Sequence, residues 1–194
     1  MSIAINKKLN LVIPVETDPG ITIYVHSTPI GREVFETYYK VIAKAFTEIY
    51  TQGLALASGP RVAKLLIKGI AVDMGVWDGE RGVKAGLIAE INRLTNVITP
   101  DGDKGWVTMP FEDALKRGVM DEDDISEVEN AICFFTLASA MHRKAELRPI
   151  LESVCSLWGA QLELSNSTEF KDSLPTSTLP VNTGEKVTRS SIPF

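Results

Sequence analysis

The segment from Ala131 to Met141, reading AICFFTLASAM, is apolar nearly all the way round a helix. A helix tolerates that only when it is covered on most sides. Two arrangements meet the condition: a central core helix wrapped by the rest of the fold, or a helix with one face sealed by self-association. The segment is too short to cross a bilayer, which takes about 20 apolar residues, and Thr136 and Ser139 interrupt it. The acidic run Asp121 to Asp124 lies just ahead of it. Carboxylates in a first turn interact favourably with the helix dipole, and Asp121 is placed to cap the end. The expected helix runs from there through Ile125, Val128, Ile132, Phe135 and Leu137 to about Lys144.

Upstream, Leu9 to Val15 and Ile21 to Val25 are apolar and β-branched, and Thr17-Asp18-Pro19-Gly20 between them has turn chemistry. This predicts a β-hairpin over about residues 8–27. Pro14 removes a ladder donor, so the first strand should be at an edge or an end there. After Pro29 the period changes to 3.6. Val34, Phe35, Tyr38, Val41, Ile42, Ala45, Phe46 and Ile49 share one helical face, and Gly53 marks the end.

A second helix is expected from Ser58-Gly59-Pro60, with Val62, Leu65, Leu66, Gly69 and Ile70 inward. A third should run through Leu87, Ile88, Ile91, Leu94 and Ile98 to a stop at Pro100. Trp106 to Met109 reads as extended. A brief helix then places Phe111, Ala114 and Leu115 inward and closes at Gly118. Pro149 should break or kink the chain, leaving a last helix from Ile150 to Ala160.

From Ser165 the composition changes: Ser and Thr supply 11 of the last 30 residues, and the segment has no net charge. Such a stretch buries too little apolar surface to offset its ordering entropy. The expected fold class is mainly α with a small N-terminal β-hairpin (α+β). A single helical domain spans residues 1–164, a flexible tail spans 165–194, and truncation after Ser165 should leave the fold intact. No internal repeat is present.

Hydrophobic residues make up 44% of the chain and charged residues 23%, an ordinary globular balance. With 25 acidic against 20 basic residues, the net charge of -5 comes without a basic cluster. Duplex binding needs a basic face to displace counterions, so nucleic acid is not an expected partner. Nor is a membrane: no stretch reaches the apolar length of a span, and the N-terminus MSIAINKKLN has no apolar core of signal-peptide length. Cys133 and Cys155 are too few for a disulfide framework and read as free buried thiols in a reducing cytoplasm.

Catalytic groups are scarce. Cys133 and His142 lie nine residues apart on one predicted helix, which puts them on nearly opposite faces. His26 and Ser27 are neighbours in a strand and point to opposite sides. The cysteines and histidines lack zinc-site spacing, and the Asp121 to Asp124 run lacks the glycine and spaced ligands of a calcium loop. Gly79-Glu80-Arg81-Gly82 is not a phosphate loop. No catalytic, metal or cofactor residue is therefore expected, and the chain reads as a non-enzyme. Apolar groups remain as partner-binding candidates: Phe134, Leu137 and Met141 on the long helix, then Leu157, Trp158 and Phe170 towards the end.

Several stretches together resemble one family. They are Ile23 to Glu36 (IYVHSTPIGREVFE), Ala57 to Ala63 (ASGPRVA), Leu87 to Val97 (LIAEINRLTNV) and Asp121 to Ala131 (DEDDISEVENA). Leu157 to Ala160 (LWGA), Ser165 to Phe170 (SNSTEF) and Leu174 to Thr178 (LPTST) complete the set. In texture and order they are similar to the tail assembly chaperones of long-tailed bacteriophages. The resemblance implies a protein of the infected host's cytoplasm, absent from the finished virion. It implies binding to the tape measure protein, which is kept soluble, and recruitment of tail tube protein. Self-association is implied as well, as is a longer form made by frameshifting near the end of the reading frame. A permanent virion component (connector, tail or minor capsid protein) is the competing expectation, and a small enzyme or ligand-binding domain is a further one.

Overall fold

A computed structural model describes residues 8–17, 20–51, 59–102 and 105–175. The hairpin forms as expected. Strands β1 (Asn10–Thr17) and β2 (Ile21–Ser27) pair antiparallel, with Leu11 opposite Ser27 and Thr17 opposite Ile21. The Gly20 N–H donates to the Thr17 carbonyl at 2.6 Å, and Gly20 has φ +84°, a conformation that glycine takes without a Cβ penalty. Asp18 and Pro19 of the expected turn lie outside the described residues.

Helix α1 (Arg32–Thr51) buries Val41, Ile42, Ala45 and Ile49. Helix α2 (Gly59–Asp73) starts where Gly59-Pro60 predicts, but its inward face is rotated from expectation. Pro60, Ala63, Ile67, Ile70 and Ala71 are buried, while Leu65 is 64% exposed. Small residues on the true face let α2 lie close against the helix that follows Asp121.

The expected third helix is corrected. A π-helical turn (Lys84–Ile88) leads into a short helix α3 (Ala89–Arg93), and the chain then becomes strand β3 (Thr95–Pro100). Ile98 is thus in a strand: Thr95, Val97, Ile98 and Thr99 are β-branched and suit a pleated surface. β3 pairs with β2 (Val97 opposite Val25) and with β4 (Trp106–Pro110), where Thr99 faces Val107. Helix α4 (Phe111–Lys116) follows, with Phe111 and Ala114 fully buried.

Helix α5 (Glu122–Met141) is capped by Asp121, whose side chain accepts from the Asp124 N–H at 2.8 Å. Every residue from Asn130 to Ala138 is buried, so α5 is the central helix. Asn130 ties it to α2: its Oδ1 accepts from the Lys64 N–H at 3.0 Å, its Nδ2 donates to the Ser126 carbonyl, and Lys64 pairs with Glu129.

The break expected at Pro149 falls earlier, at extended His142, and α6 (Lys144–Cys155) carries Pro149 inside it. A 3-10 turn (Ser156–Trp158) and Gly159 at φ +60° then lead into β5 (Gln161–Glu163) and α7 (Ser167–Ser173).

The sheet order is β4-β3-β2-β1-β5, and every adjacent pair is antiparallel. A single helical domain with only a small hairpin is therefore overturned. Among the described residues the chain is α+β, with seven α-helices and a five-stranded sheet. Side chains alternate across the strands. Leu11, Ile13, Val15, Ile23, Val25 and Val97 join the helical core, while Val12 and Ile98 form a second cluster on the opposite face. Phe170 of α7 is buried in that second cluster, with Tyr24, Trp106 and Leu174 packed around it. The expected boundary at Ser165 is corrected to that extent: residues 166–173 form a capped helix on the sheet. The remainder of the expected tail, 176–194, lies outside the described residues.

Candidate interaction surfaces

Both cysteines lie deep in the fold. Cys133 is buried in the middle of α5, and desolvation pushes its thiol up to about 12, so it is protonated at neutral pH. Cys155 is also free and buried. His142 stacks edge-on against Phe46 at 5.2 Å between ring centres, with its Nδ1 3.9 Å from Glu146. Among the described residues, no three His, Cys, Asp or Glu side chains gather as a metal site would require.

His26 lies inside the sheet, beneath α7. A carbonyl can only accept, so the 2.9 Å contact of His26 Nε2 with the Ser165 carbonyl fixes the proton on Nε2. The Asn10 Nδ2 donates to the same carbonyl at 2.8 Å. His26 Nδ1 is buried without a hydrogen-bond partner. Burial lowers the imidazole below its ordinary 6.5, against the opposite pull of the Ser165 bond and of nearby Glu163.

The six expected partner-binding residues separate into different places. Phe134 and Leu137 are sealed in the core, and Met141 is half-buried against it. Phe170 is buried on the far face of the sheet. Leu157 is 42% exposed, and half-buried Trp158 lies beside it. Those two line a groove of about 300 Å³ with Ile13, Val15, Val128 and Ala131, under a rim of Glu16, Asp124 and Glu127.

The groove exists because β5 is short. It pairs with β1 only from Asn10 to Val12, so the outer edge of β1 is open from Pro14, as the missing donor of Pro14 predicts. A second groove of about 460 Å³ lies on the other face of that open end, between Pro14, Gln161, Phe170 and Leu174.

Sequence reasoning missed a further surface. Tyr39 and Tyr50 stand on one side of α1, each in ring contact with a phenylalanine that packs against the core: Phe35 at 5.7 Å from Tyr39 and Phe46 at 4.5 Å from Tyr50. Tyr39 is 51% exposed and Tyr50 40%, outside the arc that α1 buries. The signal was present: α1 carries more apolar positions than one buried stripe requires. On α2, Leu65 and Val72 also face solvent, seven residues apart and hence on one side of the helix. No family model matches the chain, and no match was found among curated proteins or solved structures.

Proposed function

We propose that this chain is a tail assembly chaperone of a long-tailed bacteriophage. It binds the tape measure protein, keeps it soluble and helps recruit tail tube subunits in the host cytoplasm, then leaves before the virion is complete. The observation that supports this most is the aromatic side of α1. From Phe35 to Tyr50 it extends about 22 Å along the helix, at 1.5 Å per residue. A long aromatic side with solvent-facing phenols suits the side of an extended helical partner better than a compact ligand. Repeated along such a partner, many modest contacts of this kind hold through avidity. Binding without catalysis also suits the deep burial of Cys133 and Cys155.

Co-expression with the tape measure protein, followed by affinity capture and size exclusion with light scattering, tests the reading. A soluble multi-copy complex should form only when both chains are present. Tyr39→Glu with Tyr50→Glu should abolish it while the thermal transition stays cooperative, since neither side chain is part of the buried core. Absence of any complex, with stoichiometric copies of this chain in purified virions, would instead establish a permanent virion component.

A further inference from the structure

The groove at the open end of β1 carries carboxylates along its rim. Its floor is apolar: Ile13 and Val15 from β1, Val128 and Ala131 from α5. Its rim carries Glu16, Asp124 and Glu127, and the chain continues upstream through Asp121, Glu122 and Asp123. Among the described residues, no ion pair joins any of these six carboxylates to a cation. Burial raises the Asp124 carboxyl above its ordinary value, and repulsion from Asp121, Glu127 and Asp123 adds to the rise. Like charges crowded over an apolar floor are relieved when a cation with an aliphatic stem covers them. Trp158, which lines the same groove, has a buried indole N–H with no acceptor.

We infer that this groove docks a basic, apolar-containing segment of a protein partner. One aliphatic side chain of that segment enters over Leu157 and Trp158, and flanking Lys or Arg groups meet Glu16, Asp124 and Glu127. The occupant is chosen by charge complementarity: an acidic segment is repelled, and a neutral one leaves the carboxylates crowded. Pro14 makes the edge a poor template for strand addition, so side chains rather than a backbone ladder carry the contact. The inference rests on the partner-binding reading but uses a surface separate from α1.

The test is an NMR titration of the ¹⁵N-labelled full chain with a short peptide carrying one leucine between lysines. The Trp158 indole resonance is assigned with Trp158→Phe. Saturable movement of that resonance, absent for the same peptide with glutamates in place of lysines, is the expected result. Affinity should fall at least about tenfold in Asp124→Asn/Glu127→Gln and weaken as salt is added. Three results each overturn the proposal: equal response to the acidic peptide, affinity unchanged in the double variant, or a Trp158 shift that follows protein concentration alone. The last would give the groove to a second copy. Tape measure capture by the same double variant separates the two readings. Capture retained while the peptide fails leaves the chaperone role standing without this site; loss of capture in wild type sinks the role itself.

Discussion

His26 is the residue whose chemistry is most altered by the fold. Its neutral form donates from Nε2 to Ser165, and a second proton would go to Nδ1, buried without an acceptor. Burial disfavours the charged ring, so the folded pKa is lower than the unfolded one. Between the two values the unfolded chain binds more protons, so stability rises with pH there. The full contribution is present above about pH 6.5 and is lost as pH falls through that value towards the folded pKa. Thermal melts between about pH 7.5 and pH 5 should show a larger loss of melting temperature for wild type than for His26→Gln. Identical slopes would mean that this ring does not couple protons to folding. Its role was hidden from sequence reading, where His26 is only a histidine in a strand. The buried setting comes from Ser165, 139 residues away.

At the scale of elements, α7 shows how a polar-looking segment becomes structure. Its capping box is local: Asn166 accepts from the Thr168 and Glu169 N–H groups, and Glu169 reaches back to the Asn166 N–H. A helix this short is not stable alone. Phe170 holds it by entering the cluster with Val12 and Ile98, edge-on to Tyr24 at 5.4 Å, and the Trp106 indole donates to the Pro175 carbonyl at 2.7 Å. Ending the chain after Ser165 uncovers that face. The truncated protein should lose about 3–5 kcal/mol, the usual cost of removing a buried aromatic, and Phe170→Ala should reproduce most of it. Urea titrations read the difference directly; a truncated chain as stable as the full one would return the segment to its expected role as a dispensable tail. The stop at Leu94 follows the same logic, because Ile91 and Ile98 keep helical spacing, but β2 offers β3 a ladder that a fourth helical turn cannot.

Across the whole molecule, α5 separates two surfaces. The acidic groove touches its first turns at Asp124 and Glu127, whereas the aromatic side of α1 meets its far end, where Phe46 packs on His142. Fifteen residues of helix and cap put about 22 Å between Glu127 and His142, beyond the range at which substitutions usually couple. If both surfaces engage the tape measure protein, Tyr39→Glu and Asp124→Asn/Glu127→Gln should weaken capture independently. Their free-energy penalties should add within about 0.5 kcal/mol. A strongly non-additive combination would place both surfaces in one contact.

The features legible in the sequence are those settled within a few turns of chain. Periodicity and an acidic cap define α5, two β-branched runs separated by a few residues define the hairpin, and a 3.6 period defines α1. Pro14 also announces an open edge, since the lost donor is a property of that residue alone. Tertiary structure decided the rest. Which face of α2 turns inward depends on α5, through Asn130 and Lys64, 66 residues apart. Whether Thr95 to Thr99 is strand or helix depends on β2, whose Ser27 lies within 3.0 Å of Thr95 across 68 residues. Whether Phe170 is an anchor for a partner or a plug for the sheet depends on Asn10, which bonds to Ser165 across 155 residues. Apolar spacing states that a residue must be covered; only the packed chain states by what.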